Sequence, residues 1–151
     1  MAEIGGAAPA AGDDPAIADA DSVYRRLSDS RPPMLVIDFV THERRPSSAA
    51  FRVDSDGVSV YRRSKLDAAG LTAADLVRLP QNVVVSLVVG EIRSLAKLGI
   101  RDDPWPPDSD DPGHPRNGAH ALIVGWNGLS RSQRRERQKT LARLPSLSLV
   151  V

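Results

Sequence analysis

Asn82-Val83-Val84-Val85-Ser86-Leu87-Val88-Val89 is the stretch whose reading decides the fold. Branching at Cβ leaves valine few rotamers and suits it to a pleated strand rather than a helix. The run is apolar at nearly every position, with no in–out alternation. That pattern predicts a strand buried on both faces, deep within a layered body. Pro80 before it and Gly90 after it bracket the run.

Working outward, Leu71-Thr72-Ala73-Ala74-Asp75-Leu76 carries a helix start, with Thr72 as N-cap, Asp75 three residues on, and Leu71 and Leu76 placed as a hydrophobic staple. Pro80 ends that predicted helix. On the other side, residues 90–98 predict a short helix closed by Gly99. Ala119 to Trp126 predicts a further strand. Ser130 and Gln133 form a capping box opening a helix to about Leu144, where Pro145 follows. Leu147 to Val151 reads as a terminal edge strand.

Towards the N-terminus, Met34-Leu35-Val36-Ile37-Asp38-Phe39-Val40 reads as a second buried strand. Residues 49–53 and 58–61, joined by Asp54-Ser55-Asp56-Gly57, predict a hairpin over about 51–62. Ser22 is expected to cap a short helical turn holding Val23, Tyr24, Arg25 and Leu27. The expected architecture is α+β: a mixed sheet with about three helices on one face, over residues 21–151. Residues 1–20 are mostly Ala, Gly and Pro with scattered acids, too little apolar surface to offset the entropy of ordering. They are expected to form a disordered acidic tail.

Composition narrows the chemistry. The 151 residues contain no cysteine, which excludes disulfides, thiolate metal sites and a cysteine nucleophile. Aromatics are only 4%, so aliphatic side chains must build the core. The net charge of +1 hides a gradient. Glu3, Asp13, Asp14, Asp19 and Asp21 precede the first base, Arg25. Arg131, Arg134, Arg135, Arg137, Lys139 and Arg143 crowd the far end. With no signal peptide and no apolar run of about 18 residues, the expected location is the cytoplasm, with no membrane partner.

Four constellations stand out. Asp102, Asp103, Asp108, Asp110 and Asp111 offer hard oxygens, but prolines interrupt them and the EF-hand spacing is missing, so a solvated loop is the plainer reading and no metal is expected. Among His42, His114 and His120, only His120 falls inside an apolar strand, where an imidazole serves either as an acid–base group or as a hydrogen-bonded core residue. Arg45, Ser47 and Ser48 bring a guanidinium fork and hydroxyls into one loop, a pattern suited to a phosphate or carboxylate, though a hydrogen-bonded loop capping the sheet is the plainer reading. The helix over 131–143 has few apolar positions, so most of its basic surface must face water. A solvated, charged helix is the plainer reading; beyond it, the face suits an acidic protein partner or the chain's own acidic tail, or, without aromatics for stacking, nucleic-acid phosphates alone. No P-loop, G-x-G-x-x-G or G-x-S-x-G pattern is present.

VYRR at 23–26, RPSSAAF at 45–51, VSVY at 58–61 and AHALIVG at 119–125 together resemble a group of small bacterial proteins, a likeness that covers most of residues 22–144. It implies a common fold and no mechanism. A looser likeness is to ADP-ribosyltransferase-type folds, which implies an NAD pocket in which Arg25 and Ser47 or Ser48 take part. Glu91 is then the one candidate for the acid in the central stretch.

Three functions are therefore expected, in order. The first is a non-catalytic, partner-binding component of a bacterial multi-protein system, using Arg131, Arg134, Arg135, Arg137 and Lys139 and no cofactor. The second is a small ligand-binding or ADP-ribosyltransferase-like protein using Arg25, Arg45, Ser47, Ser48 and His120. The third is nucleic-acid binding through the 131–143 helix.

Overall fold

The computed structural model describes residues 11–28, 33–54, 57–104 and 113–151. The valine-rich run forms strand β5, Val83–Val88, and pairs along its whole length with β1, Ser22–Leu27. Around them lie β4 (Val58–Arg62), β6 (Gly99–Asp102), β7 (His120–Val124) and the two-residue β8 (Ser148–Leu149). The sheet order is β6-β7-β4-β1-β5-β8, and every pairing is antiparallel. A separate ribbon pairs β2 (Leu35–Ile37) with β3 (Arg44–Pro46). Three helices complete the α+β fold: α1 (Arg63–Ala68), α2 (Val89–Arg93) and α3 (Arg131–Leu141).

Alternation along the strands sorts the side chains into two layers. Val23, Leu27, Val58, Val60, Val85, Leu87, Ala121 and Ile123 meet α2, α3 and the 3-10 turn Ser48–Phe51 in the larger core. Tyr24, Tyr61 and Val84 face the other way, onto Leu66 of α1 and the 3-10 turn Ala73–Leu76. The helical pieces thus cover both faces rather than one. Val83, Val84, Val85 and Leu87 are buried, as a two-sided strand requires.

Several local expectations fail for physical reasons. Residues 22–27 are a strand: Val23 and Leu27 are spaced as on a helix face, but Val23, Arg25 and Leu27 also share one side of a strand. The Thr72 signal caps only a 3-10 turn, with Asp75 Oδ2 accepting from Thr72 N at 2.7 Å. The helix instead lies earlier, at α1. Residues 48–51 turn rather than extend, and β4 pairs with β1 and β7 instead of closing a hairpin. Met34–Val40 holds only the three-residue β2, and Phe39 and Val40 are 95% and 87% exposed. Helix α2 ends at Arg93, so Gly99 opens β6 instead of capping it, and Asp13 packs where a Cβ at Gly99 would stand.

Of the tail expected over 1–20, residues 1–10 lie outside the described residues, and residues 11–20 pack against the sheet. Ile17 is 1% exposed within the larger core. Arg93 gathers the segment, donating to Asp13 Oδ1, Ile17 O, Asp19 Oδ1 and Asp14 O at 2.7–3.1 Å. Asp14 N donates to Ile100 O, and Ile100 N to Asp13 Oδ1, so this segment satisfies part of the β6 edge. One apolar anchor and one multidentate guanidinium order a stretch whose composition alone points to disorder.

Candidate functional site

The predicted site residues divide between the two faces of the sheet. His120, Tyr61 and Tyr24 are register partners in neighbouring strands and share the smaller layer. His120 Nδ1 lies 2.6 Å from Asp103 O and 3.4 Å from its carboxylate, and the ring meets Tyr61 edge-on at 5.5 Å between centroids. Burial pushes the imidazole below its ordinary range, against the pull of Asp103. Burial likewise raises the Tyr61 phenol, which the Arg26 and Arg116 guanidiniums draw back. Arg116 and Asn117, both buried in the Pro115–Ala119 turn, complete a polar layer that sequence reasoning missed. Its signal was Tyr61, the polar-tipped aromatic closing the alternating stretch 58–61.

Arg25 faces the opposite layer, beneath the Ser48–Phe51 turn. Its Nε donates to Ala50 O and its guanidinium to Ser59 O, each at 2.9 Å. Burial lowers its pKa to about 10. The guanidinium is therefore occupied in fastening the turn to β4. Glu91, the acid considered for an NAD pocket, accepts from Ser146 N at 3.1 Å. Arg25 and His120 do not line one pocket with Ser47 and Ser48.

Arg45, Ser47 and Ser48 do come together, and with them the basic helix. They line a groove of about 320 Å³ with Val36, Lys139 and Arg143. Ser47 caps the 3-10 turn, accepting from Ala49 N while its hydroxyl donates to Pro33 O. On the other flank of α3, a groove of about 630 Å³ lies between Arg52 and Val53 and the side chains Arg131, Arg134, Arg135 and Gln138. Those four positions follow i, i+3, i+4, i+7 spacing and so share one helical stripe. Arg137 lines neither groove; its Nε donates to Ala96 O at 3.3 Å. Arg52, absent from the predicted set, joins it because the turn delivers it to the groove wall.

The cations on this face are barely neutralised. Arg52, Arg131, Arg134, Arg135 and Arg143 make no side-chain hydrogen bond or ion pair among the described residues. Arg134 Nε is buried and without a hydrogen-bond partner there. Arg45 and Lys139 meet Asp38 and Glu136 only at 3.6 and 3.8 Å, at exposed positions where such pairs hold little energy. By contrast, Arg62 is held by both oxygens of Asp102 at 2.9 and 3.0 Å and by Asp21.

Asp102 and Asp103 are therefore committed to Arg62 and His120, while Asp108, Asp110 and Asp111 lie outside the described residues. Among the described residues, no cluster of His, Asp or Glu is arranged to hold a metal ion. No helix among them is long and apolar enough to cross a membrane. Comparison of the chain with protein-family models, curated proteins and solved structures finds no match, so the likenesses noted above rest on their quoted motifs alone.

Proposed function

We propose that this chain is a non-catalytic binding component of a multi-protein bacterial system, and that the α3 face receives an acidic partner. The supporting observation is the set of cations unpaired among the described residues, Arg52, Arg131, Arg134, Arg135 and Arg143, flanking the seam between α3 and the Ser48–Phe51 turn. Carboxylates answer them well, because guanidinium forks take two oxygens at once. Arg45 and Ser48 belong to this face as hydrogen-bond donors along its second groove, while Ser47, whose hydroxyl donates to Pro33 O, holds the turn beside them. Arg25 and His120 lie on opposite faces of the sheet, bound to the Ala50, Ser59 and Asp103 carbonyls, which supports the binding reading over one built on a shared pocket.

The test is fluorescence anisotropy of a labelled oligoglutamate peptide against the full chain. The expected result is saturable binding that weakens with added salt and drops at least tenfold in Arg134→Glu/Arg135→Glu, with the urea midpoint unchanged. Binding that ignores the double substitution contradicts the proposal. An oligothymidylate bound far more tightly than oligoglutamate favours a phosphate backbone as the natural partner instead.

A further inference from the structure

The β2–β3 ribbon ends in a turn that holds apolar side chains out in water. Ile37 is 62% exposed, Phe39 95% and Val40 87%. Single exposed aliphatics are commonplace on protein surfaces, but three within four residues make a patch. The backbone beneath them is tightly tied. Asp38 Oδ1 accepts from Val40 N and Thr41 N at 2.8 and 2.9 Å. Asp38 N donates to Glu43 O, and His42 N to Asp38 O. His42 takes a left-handed φ of 61° to close the loop. The two backbone donors hold the Asp38 carboxyl below the usual carboxylate range. Phe39 is therefore displayed from a preorganised loop, and little of any contact energy is lost to ordering it.

The turn adjoins the basic face. Val36 and Arg45 are register partners in the ribbon, and both line the groove that holds Ser47, Ser48, Lys139 and Arg143. Arg45 also reaches Asp38 at the base of the turn. Val36 and Phe39 are three residue steps apart, a reach of at most about 11 Å. Apolar tip and cationic grooves thus form one continuous surface of two chemistries.

Resting on the acidic-partner reading, we infer that Phe39 and Val40 are the apolar anchor of this face and that its partner is an acidic, amphipathic polypeptide. Its carboxylates meet the α3 cations, and its aliphatic side chains pack over the tip. Nucleic acid fits less well, because a base stacks on Phe39 alone and leaves the exposed Ile37 and Val40 uncovered. Buried aromatic anchors at interfaces characteristically dominate affinity. The ten residue steps of α3 from Arg131 to Leu141 advance roughly 15 Å along its axis, and the tip adds at most about 11 Å. A helical partner of about 20 residues spans that length.

Two labelled 20-residue peptides test this against the full chain: one of glutamate alone, one of glutamate and leucine at helical amphipathic spacing. The mixed peptide is expected to bind at least tenfold more tightly. Phe39→Ser/Val40→Ser is expected to abolish that excess while leaving oligoglutamate binding in place. Equal affinity of the native chain for the two peptides overturns the inference, as does an excess that survives the double serine substitution. Arg134→Glu/Arg135→Glu reports separately on the basic face: it weakens both peptides if that reading holds. If it leaves both unchanged, the charged-face reading falls, whatever the serine variant shows. A native chain that binds neither peptide, but binds oligothymidylate in a Phe39-dependent way, assigns the tip to base stacking and overturns the inference.

Discussion

Two stretches of this chain look alike on paper and behave oppositely. Met34-Leu35-Val36-Ile37-Asp38-Phe39-Val40 and Val83-Val84-Val85-Ser86-Leu87-Val88-Val89 are both seven residues long, apolar at six positions and interrupted once by a polar residue. The second is a strand beneath two layers. The first forms half of a small ribbon and then turns outward. The difference lies in the interruption and in the neighbours. Ser86 faces a register partner on either side, Tyr24 in β1 and Ser148 in β8. Asp38 accepts from the amides of Val40 and Thr41, forcing a turn where the apolar run invites extension. A short polar side chain that satisfies its own following backbone stops a strand, whatever surrounds it.

The contrast is breakable by substitution. Its largest expected effect is at β5: Leu87→Ala removes a fully buried side chain and should cost about 2–5 kcal/mol in urea unfolding. A loss below about 1 kcal/mol places Leu87 outside a packed core. Arg25→Ala should come next. It leaves the Ala50 and Ser59 carbonyls without their donor, at a cost of roughly 1–3 kcal/mol measured the same way. An unchanged midpoint means that the Ser48–Phe51 turn does not depend on Arg25.

A smaller, pH-dependent effect belongs to His120. Burial holds its folded pKa below the ordinary value of about 6.5, so the unfolded chain takes up the proton first as pH falls. The stability linked to this group is complete above that value and declines below it. The slope is at most about 1.4 kcal/mol per pH unit for one proton. His120→Asn should flatten the decline, and an unaltered pH profile assigns the acid sensitivity to other groups.

Sequence reading succeeds here where the signal is local and complete. The valine run of β5, the apolar strand β7 and the Ser130–Gln133 capping box of α3 all appear where expected. It fails where one residue serves two patterns. In β1, Val23 and Leu27 fit helical spacing as well as strand alternation, and the choice depends on burying Arg25 against the distant Ala50 and Ser59 carbonyls. Helix α1 has Leu66 as its only buried residue, so no periodicity marks it. The ordering of residues 11–20 depends on Arg93, some 75 positions away, which no local window contains. Likewise, the basic helix was legible as exposed. What it lacked was the Ser48–Phe51 turn that gathers Arg45, Ser47, Ser48 and Arg52 beside it and leaves Arg137 behind. His120 left the set because strand alternation sent it to the opposite face from Arg25.

The most direct measurement pairs stability with binding in Phe39→Ser/Val40→Ser. The expected outcome is an unfolding midpoint within about 0.5 kcal/mol of the native chain, as for exposed positions. Alongside it, the tighter binding of the glutamate–leucine peptide should disappear. A clear fall in stability with that binding intact would contradict the account, because it would make the two apolar stretches alike after all.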